Sequence, residues 1–209
     1  MANAELDTDV LVDRARAGDL TSVAVLMQRH RQRLKKMIDA RMDPRLKARL
    51  DPSDVIQEAM TTASQQFSEY LETQPIPFYP WLRRITWQKL VHAHEMHLDA
   101  AKRSVRKERQ GFWGLSDRST SQLLDRLDQL PGNRSTPSAA ADRAESRRRV
   151  TETLARLSEI DREVLVQRYV EQMSMKEIGA SLNMSEAAVQ MRHMRALQKL
   201  HKLLMGDIP

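Results

Sequence analysis

Hydrophobic residues recur every three or four positions along most of the chain, which is the spacing of amphipathic helices. In the segment DPSDVIQEAMTTASQQFSEYL, for example, Val55, Ala59, Ala63 and Phe67 form one apolar stripe. No segment alternates between apolar and polar residues as a half-buried strand does, and glycine is scarce. The pattern therefore predicts an all-α protein.

Start and stop signals divide the N-terminal half into helices. We expect a short helix over residues 9–17 that ends at Gly18, followed by a long helix over residues 20–42 that Asp19 or Thr21 caps.

The next two predicted helices carry most of the apolar residues of this half. A connector after the break at Pro44 leads to a helix capped by Asp51 or Ser53. A proline-rich corner then leads to a long helix that we expect to begin at Trp81. Its predicted core positions are Phe78, Trp81, Leu82 and Ile85.

The C-terminal part contains the signals of two short helices joined by a tight corner. Ser174 stands three residues before Glu177, the spacing of a capping box, and Ser185 can cap the following helix. Asn183 suits a left-handed corner, and Gly179 is small where two crossing helices would touch. This is the pattern of a helix-turn-helix, although an ordinary helical hairpin with a solvated basic face would also fit. The outward positions of the second helix are Ala187, Gln190, Met191, Met194, Arg195 and Gln198, with Lys199 and Lys202 near phosphates if that face binds DNA.

Between the two halves the composition changes to Ser, Thr, Gly, Pro and Ala, which is typical of a linker. We therefore expect two small helical domains, residues 1–110 and 142–209, joined by a flexible linker over residues 111–141.

Composition narrows the class of function. The chain has 34 Lys and Arg against 28 Asp and Glu, a net charge of +6 that favours a polyanionic partner. It has no cysteine, no apolar run long enough to span a membrane and no signal peptide, so we expect a soluble cytoplasmic protein. The spacing of His92, His94 and His97 is poor for a metal site, and we predict neither a metal nor a cofactor.

Two polar features of the N-terminal half have more than one interpretation. The cluster of Asp54, Gln57 and Glu58 is either plain polar surface, an acid–base pair or a docking patch for a partner helix. Trp87 is either an aromatic platform for an unstacked base or a core residue that packs with Leu90 and Leu98.

The two halves together resemble a bacterial RNA polymerase sigma factor of the extracytoplasmic-function (ECF) group. The segments DPSDVIQEAM and FYPWLRRITWQKL are similar to the second sigma domain. The segment LSEIDREVLVQRYVEQMSMKEIGASLNMSEAAVQMRHMRALQKL is similar to the fourth sigma domain. The resemblance covers nearly the whole chain. It departs from the family at His193, where leucine is common, and at Gly179 and Asn183, where alanine and glycine are common.

The resemblance implies a non-enzymatic initiation factor with three binding surfaces. Asp54, Gln57 and Glu58 would dock on the clamp coiled coil of the largest catalytic subunit of core RNA polymerase. The residues implied at the −10 element are Arg84, Trp87, Gln88, Lys89, Lys102, Arg103 and Arg106. The residues implied at the −35 element are Glu186, Ala187, Gln190, Met191, Met194, Arg195 and Lys199. The resemblance also admits an anti-sigma protein as a partner.

Two other classes of protein compete with this interpretation. A stand-alone helix-turn-helix regulator would form dimers on a palindromic site without polymerase. A nucleic-acid enzyme would use the acidic cluster for metal-dependent cleavage, which Glu58→Ala would abolish.

Overall fold

The computed structural model of the protein describes residues 7–47, 49–98, 150 and 152–205. The predicted linker and the basic residues Lys102, Arg103 and Arg106 lie outside these residues. Helices, and no strands, occupy the described part of the chain, so the predicted all-α class is confirmed. The helices are α1 (Thr8–Arg16), α2 (Leu20–Arg41), α3 (Pro44–Lys47), α4 (Pro52–Thr73), α5 (Phe78–Leu98), α6 (Glu159–Tyr169), α7 (Met175–Leu182) and α8 (Glu186–Met205).

Local signals account for most helix starts. The Asp19 carboxylate accepts a hydrogen bond from the Thr21 N–H at 2.9 Å, so Asp19 holds the start of α2. Hydrogen bonds from the hydroxyls of Ser22 and Thr21 lower the pKa of Asp19 to about 2. At α4 the cap is Asp51, whose side chain accepts from the Ser53 N–H at 2.7 Å.

Two features differ from the sequence-based expectation by more than one residue. Helix α5 begins at Phe78 and not at Trp81, because Pro80 lies in the first turn, where a backbone N–H has no partner within the helix. The Trp81 N–H donates to the Pro77 carbonyl at 3.2 Å and so closes that turn. The expected connector after Pro44 contains the four-residue helix α3, which starts with proline.

The described residues fall into two compact units. The first unit contains the chain up to Ile38 and from Arg45 to the end of α5. Its interior is aromatic: Tyr70 and Trp81 stack with their ring centroids 4.5 Å apart, and Phe78 packs against both. Burial raises the pKa of Tyr70 to about 12. The predicted core positions Phe78, Trp81, Leu82 and Ile85 are all buried.

The second unit contains Asp39–Pro44 and the C-terminal helices. Its apolar core consists of Ala40, Val150, Leu154, Leu157, Leu165, Val166, Val170, Ala196 and Leu200. A buried ion-pair network lies in the same unit. The guanidinium of Arg41 contacts the partly buried Glu163 at 2.8 and 2.9 Å and the fully buried Glu171 at 2.8 Å, so the buried charges are paired.

None of the described helices combines the length and the apolarity that crossing a bilayer would require.

Candidate nucleic-acid interface

The first candidate surface lies near the start of α4. Val55, Ile56 and Ala59 point into the first unit and are buried. This register leaves Asp54, Gln57 and Glu58 exposed. The three predicted docking residues therefore share one accessible patch within the first two turns of a rigid helix, with Asp54 in the first turn.

The second candidate surface lies on α5. Arg84 and Gln88 are exposed one turn apart, and Lys89 is partly exposed. On the inner side of the helix Leu90 is buried, and Thr86 is buried with its hydroxyl donating to the Leu82 carbonyl at 2.9 Å. The helix thus presents polar and basic groups while its opposite side fills the core.

The exposure of Trp87 is intermediate between the values that its two interpretations require. Its side chain is partly buried, so it is neither a fully enclosed core residue nor a fully exposed platform. Leu90, its predicted packing neighbour, is completely buried, whereas the side chain of Leu98 lies outside the described residues.

The third candidate surface is built by α7 and α8. The predicted capping box is present: Glu177 N–H donates to the Ser174 hydroxyl at 3.1 Å, and Ser174 N–H donates to the Glu177 carboxylate at 2.8 Å. Ser185 caps α8 by accepting from the Ala188 N–H at 3.2 Å. Together with the corner at Asn183, these contacts confirm the helix-turn-helix pattern.

The corner between these helices depends on two backbone positions. Asn183 adopts the left-handed conformation, with φ 54° and ψ 48°. Met184 N–H donates to the Gly179 carbonyl at 2.8 Å, which brings the turn close over Gly179. A Cβ at residue 179 would lie 2.6 Å from the Met184 carbonyl oxygen. The small residue is therefore required by the backbone of the turn, and not by the crossing of two helices as the sequence suggested.

Helix α8 divides cleanly into a buried and an exposed face. Val189, Ala196 and Leu200 are buried and hold the helix to the second unit. Every residue that the sequence places at the −35 element is exposed, namely Glu186, Ala187, Gln190, Met191, Met194, Arg195 and Lys199. Gln198 and Lys202 are exposed as well.

Two contacts that orient α8 were not predicted. The Tyr169 hydroxyl lies 2.9 Å from His193 Nε2, and the Asp161 carboxylate lies 2.8 Å from Arg192 Nη1. Both contacts join α6 to α8. Asp161 also takes part in the cap of α6, because its N–H donates to the Ser158 hydroxyl at 3.3 Å. No local spacing could show the other contacts, because the partners are 24 and 31 residues apart.

Among the described side chains, His92 and His94 do not form a metal site, and the side chain of His97 lies outside those the structure describes. His92 is exposed whereas His94 is buried, so the two side chains lie on different sides of the helix. No group of three candidate ligands occurs among the side chains that the structure describes.

The comparisons with known proteins agree with this geometry. A family model described as "Sigma-70, region 4" matches residues 153–202. Residues 153–202 are therefore similar to sigma-70 region 4. This region 4 contains α6, α7 and nearly all of α8, and therefore the whole helix-turn-helix. No curated protein sequence matches the chain significantly.

A similar structure extends the likeness beyond region 4. The solved structure of CnrH in complex with the cytosolic domain of CnrY resembles the chain with a TM-score of 0.52 and 24% sequence identity. The match covers 97% of this chain and 100% of that chain, so the likeness in fold includes the N-terminal unit. The family match supports the predicted resemblance to sigma factors for residues 153–202, and the similar structure shows that the likeness in fold covers both units.

Proposed function

We propose that the protein is an ECF-type sigma factor that binds core RNA polymerase and directs it to promoters with particular −10 and −35 elements. The observation that carries this proposal is a helix-turn-helix similar to sigma-70 region 4, whose second helix exposes Gln190, Arg195 and Lys199 on one face. A helix of this kind fits the major groove of duplex DNA. Such a factor acts in the bacterial cytoplasm, at the nucleoid when it is bound to polymerase.

The three surfaces divide the work of initiation. The Asp54, Gln57 and Glu58 patch is suited to docking on the clamp coiled coil, because an exposed acidic patch on a rigid helix attracts a basic partner surface. Arg84, Trp87, Gln88 and Lys89 are proposed to contact the −10 element. There the partly exposed ring of Trp87 would stack on an unpaired base and offset part of the cost of unstacking it. The basic residues Lys102, Arg103 and Arg106 remain a prediction from the sequence.

Docking on polymerase couples the two DNA contacts. Each contact alone involves one face of a single helix, and neither would hold a promoter tightly. When both surfaces are held on one polymerase, the second contact forms at a high effective concentration and the two reinforce each other. The chain itself carries out no chemical step in this scheme.

CnrH was solved with the cytosolic domain of another protein, CnrY. We extend to this chain the expectation of a regulatory protein partner of the anti-sigma kind, which would compete with core polymerase for the chain. Competition between such a partner and core polymerase in a binding assay would test this extension.

Co-elution with purified core polymerase tests the central proposal. The full chain should co-elute with the core enzyme, and the double variant Asp54→Arg/Glu58→Arg should not. A matched control is Glu69→Arg with Glu72→Arg, which reverses two exposed carboxylates further along the same helix. Equal melting temperatures of all three proteins would show that the reversal acts on docking and not on the fold.

Two results would contradict the proposal. If the Asp54→Arg/Glu58→Arg variant binds core polymerase as wild type does, the polymerase does not dock on this patch. If the wild-type chain does not bind core polymerase and instead forms a dimer on palindromic DNA, the protein is a stand-alone regulator.

A further inference from the structure

The exposed face of α8 contains an apolar strip. Met191 retains 53% and Met194 retains 56% of full side-chain exposure, and Ala187 is exposed one turn before Met191. The three residues are spaced by four and three positions, so they form one line along the helix. Because exposing two large thioether side chains to water is unfavourable, a binding partner that covers them would gain affinity.

The surroundings of the strip favour nucleic acid as that partner. Gln190 borders the strip on one side and Arg195 on the other, and Lys199 follows one turn after Arg195. An amide and two cations beside a narrow apolar strip complement the base edges and phosphates of a DNA groove. Two methionines and an alanine also provide far less than the roughly 800 Å² per partner that a stable protein interface buries.

The positions of the two methionines along α8 indicate which of them lies nearer to the bases. In helix-turn-helix proteins the N-terminal residues of the second helix lie deepest in the major groove. Met191 is in the second turn of α8, beside Gln190, whereas Met194 lies one turn further from the helix start. The apolar group that base pairs present in the major groove is the thymine C5-methyl group.

We infer that Met191 is a specificity-determining residue that contacts a thymine methyl group in the upstream promoter element. Gln190, beside it, is suited to bidentate hydrogen bonding with adenine N6 and N7. The two residues together select A·T base pairs in that element. This inference rests on the proposed function, since it requires that α8 binds the −35 element.

Replacement of thymine by deoxyuridine tests the contact directly, because it removes the methyl group and keeps base pairing. The upstream element is first selected from random duplexes with the full chain bound to core polymerase. Each thymine of the selected element is then replaced singly by deoxyuridine, and the affinity of the complex is measured by competition. At one position the wild-type complex should lose about fourfold in affinity, because the protein no longer buries a methyl group there.

Three variants assign that loss to a residue. Met191→Ala should bind the thymine and deoxyuridine duplexes equally at that position, and Met191→Leu should restore the preference for thymine. Met194→Ala is the matched control and should keep the wild-type preference. Both sites are exposed, so the three variants should melt at the wild-type temperature.

The failures are distinguishable from one another. If the wild-type complex selects an element but tolerates every deoxyuridine, the methyl contact is wrong and the proposed function stands. The contact is equally wrong if Met191→Ala keeps the wild-type preference. If Met191→Ala binds DNA as wild type does but no longer binds a protein partner, the strip is a protein-docking surface. If no element is selected at all, the proposed function fails and the inference fails with it.

Discussion

The hydroxyl of Tyr169 lies 2.9 Å from Nε2 of His193, and this contact joins α6 to the helix that carries the proposed DNA-binding face. The two rings lie 5.5 Å apart at an angle of 31°. Burial of the imidazole, and secondarily the positive charge of Arg168, lower the pKa of His193 below its ordinary value of 6.5. A neutral imidazole can accept a hydrogen bond from the Tyr169 hydroxyl, whereas a protonated one cannot.

We therefore expect the stability of the second unit to fall on acidification. Because the folded pKa of His193 is lowered, the unfolded chain binds a proton at higher pH than the folded chain does. The contribution of His193 to the free energy of unfolding is complete above about pH 6.5 and declines as the pH falls toward the lower folded pKa. Thermal unfolding of wild type and His193→Leu across this range measures the contribution.

Two further variants separate this contact from general effects of acid. Tyr169→Phe should lower the free energy of unfolding by about 1 kcal/mol at neutral pH, the usual contribution of one hydrogen bond. His201→Leu replaces an exposed histidine of the same helix and should keep the wild-type pH dependence. The same pH dependence in His193→Leu as in wild type would rule out His193 as its source.

The corner of the helix-turn-helix should tolerate substitution at one position and not at the other. Gly179→Ala forces a Cβ to within 2.6 Å of the Met184 carbonyl oxygen, so the turn must shift. We expect a loss of about 1–3 kcal/mol in the free energy of unfolding, as for other overpacked sites, despite the better helix propensity of alanine.

Asn183→Gly is the matched substitution in the same turn. Glycine adopts the observed left-handed conformation without a steric penalty, so this variant should be as stable as wild type. Chemical denaturation of both variants measures the difference. Equal stability of Gly179→Ala and wild type would mean that the turn can shift away from residue 179 without a loss of stability.

Local features of the fold could be predicted from the sequence because their partners are close along the chain. The capping box joins Ser174 to Glu177, three residues later, and Asp51 caps α4 through the N–H of Ser53, two residues later. The exposed face of α8 was predictable for a similar reason. The helical period of 3.6 residues places Val189 on the buried side and Gln190 and Met191 on the exposed side.

Long-range contacts could not be predicted in this way. Tyr169 and His193 satisfy ordinary helix patterns separately, and only the packing of α6 on α8 brings them together. Helix α5 starts three residues before its predicted start, because a proline in the first turn is compatible with a helix. The role of Gly179 depends on a carbonyl five residues away in a turn whose path the sequence does not specify.

Two arginines of α8 should affect different properties. Arg195 is exposed on the proposed DNA-binding face, whereas Arg192 is paired with Asp161 at 2.8 Å. Arg195→Ala should weaken DNA binding by the polymerase complex, and each lost phosphate contact should reduce the slope of log affinity against log salt by about 0.9. Affinity measured over a series of salt concentrations gives this slope.

Arg192→Ala is the control on the same helix. It should leave the salt slope unchanged and lower the free energy of unfolding by no more than about 1 kcal/mol, because the Asp161–Arg192 pair is partly exposed. If Arg192→Ala reduces the salt slope and Arg195→Ala does not, the phosphate contact lies on the Arg192 side of α8 and not on the Arg195 side.

The two tryptophans of α5 offer a test of promoter melting. Trp81 is 4% exposed and stacks on Tyr70 with centroids 4.5 Å apart, whereas Trp87 keeps part of its surface open. Trp81→Ala should destabilise the first unit by about 3–5 kcal/mol, as expected for the loss of a large core side chain. Trp87→Ala should change the melting temperature far less, and it should lower the fraction of open complex more than the initial binding of promoter DNA.

Permanganate reactivity of unpaired thymines measures opening, and a competition assay on duplex DNA measures initial binding. The difference follows from stacking, since base–aromatic stacking contributes about 1–3 kcal/mol only after the base has left the helix. A Trp87→Ala variant that unfolds as readily as Trp81→Ala would instead assign Trp87 to the core, and Arg84 and Gln88 would then be the remaining candidates on this face.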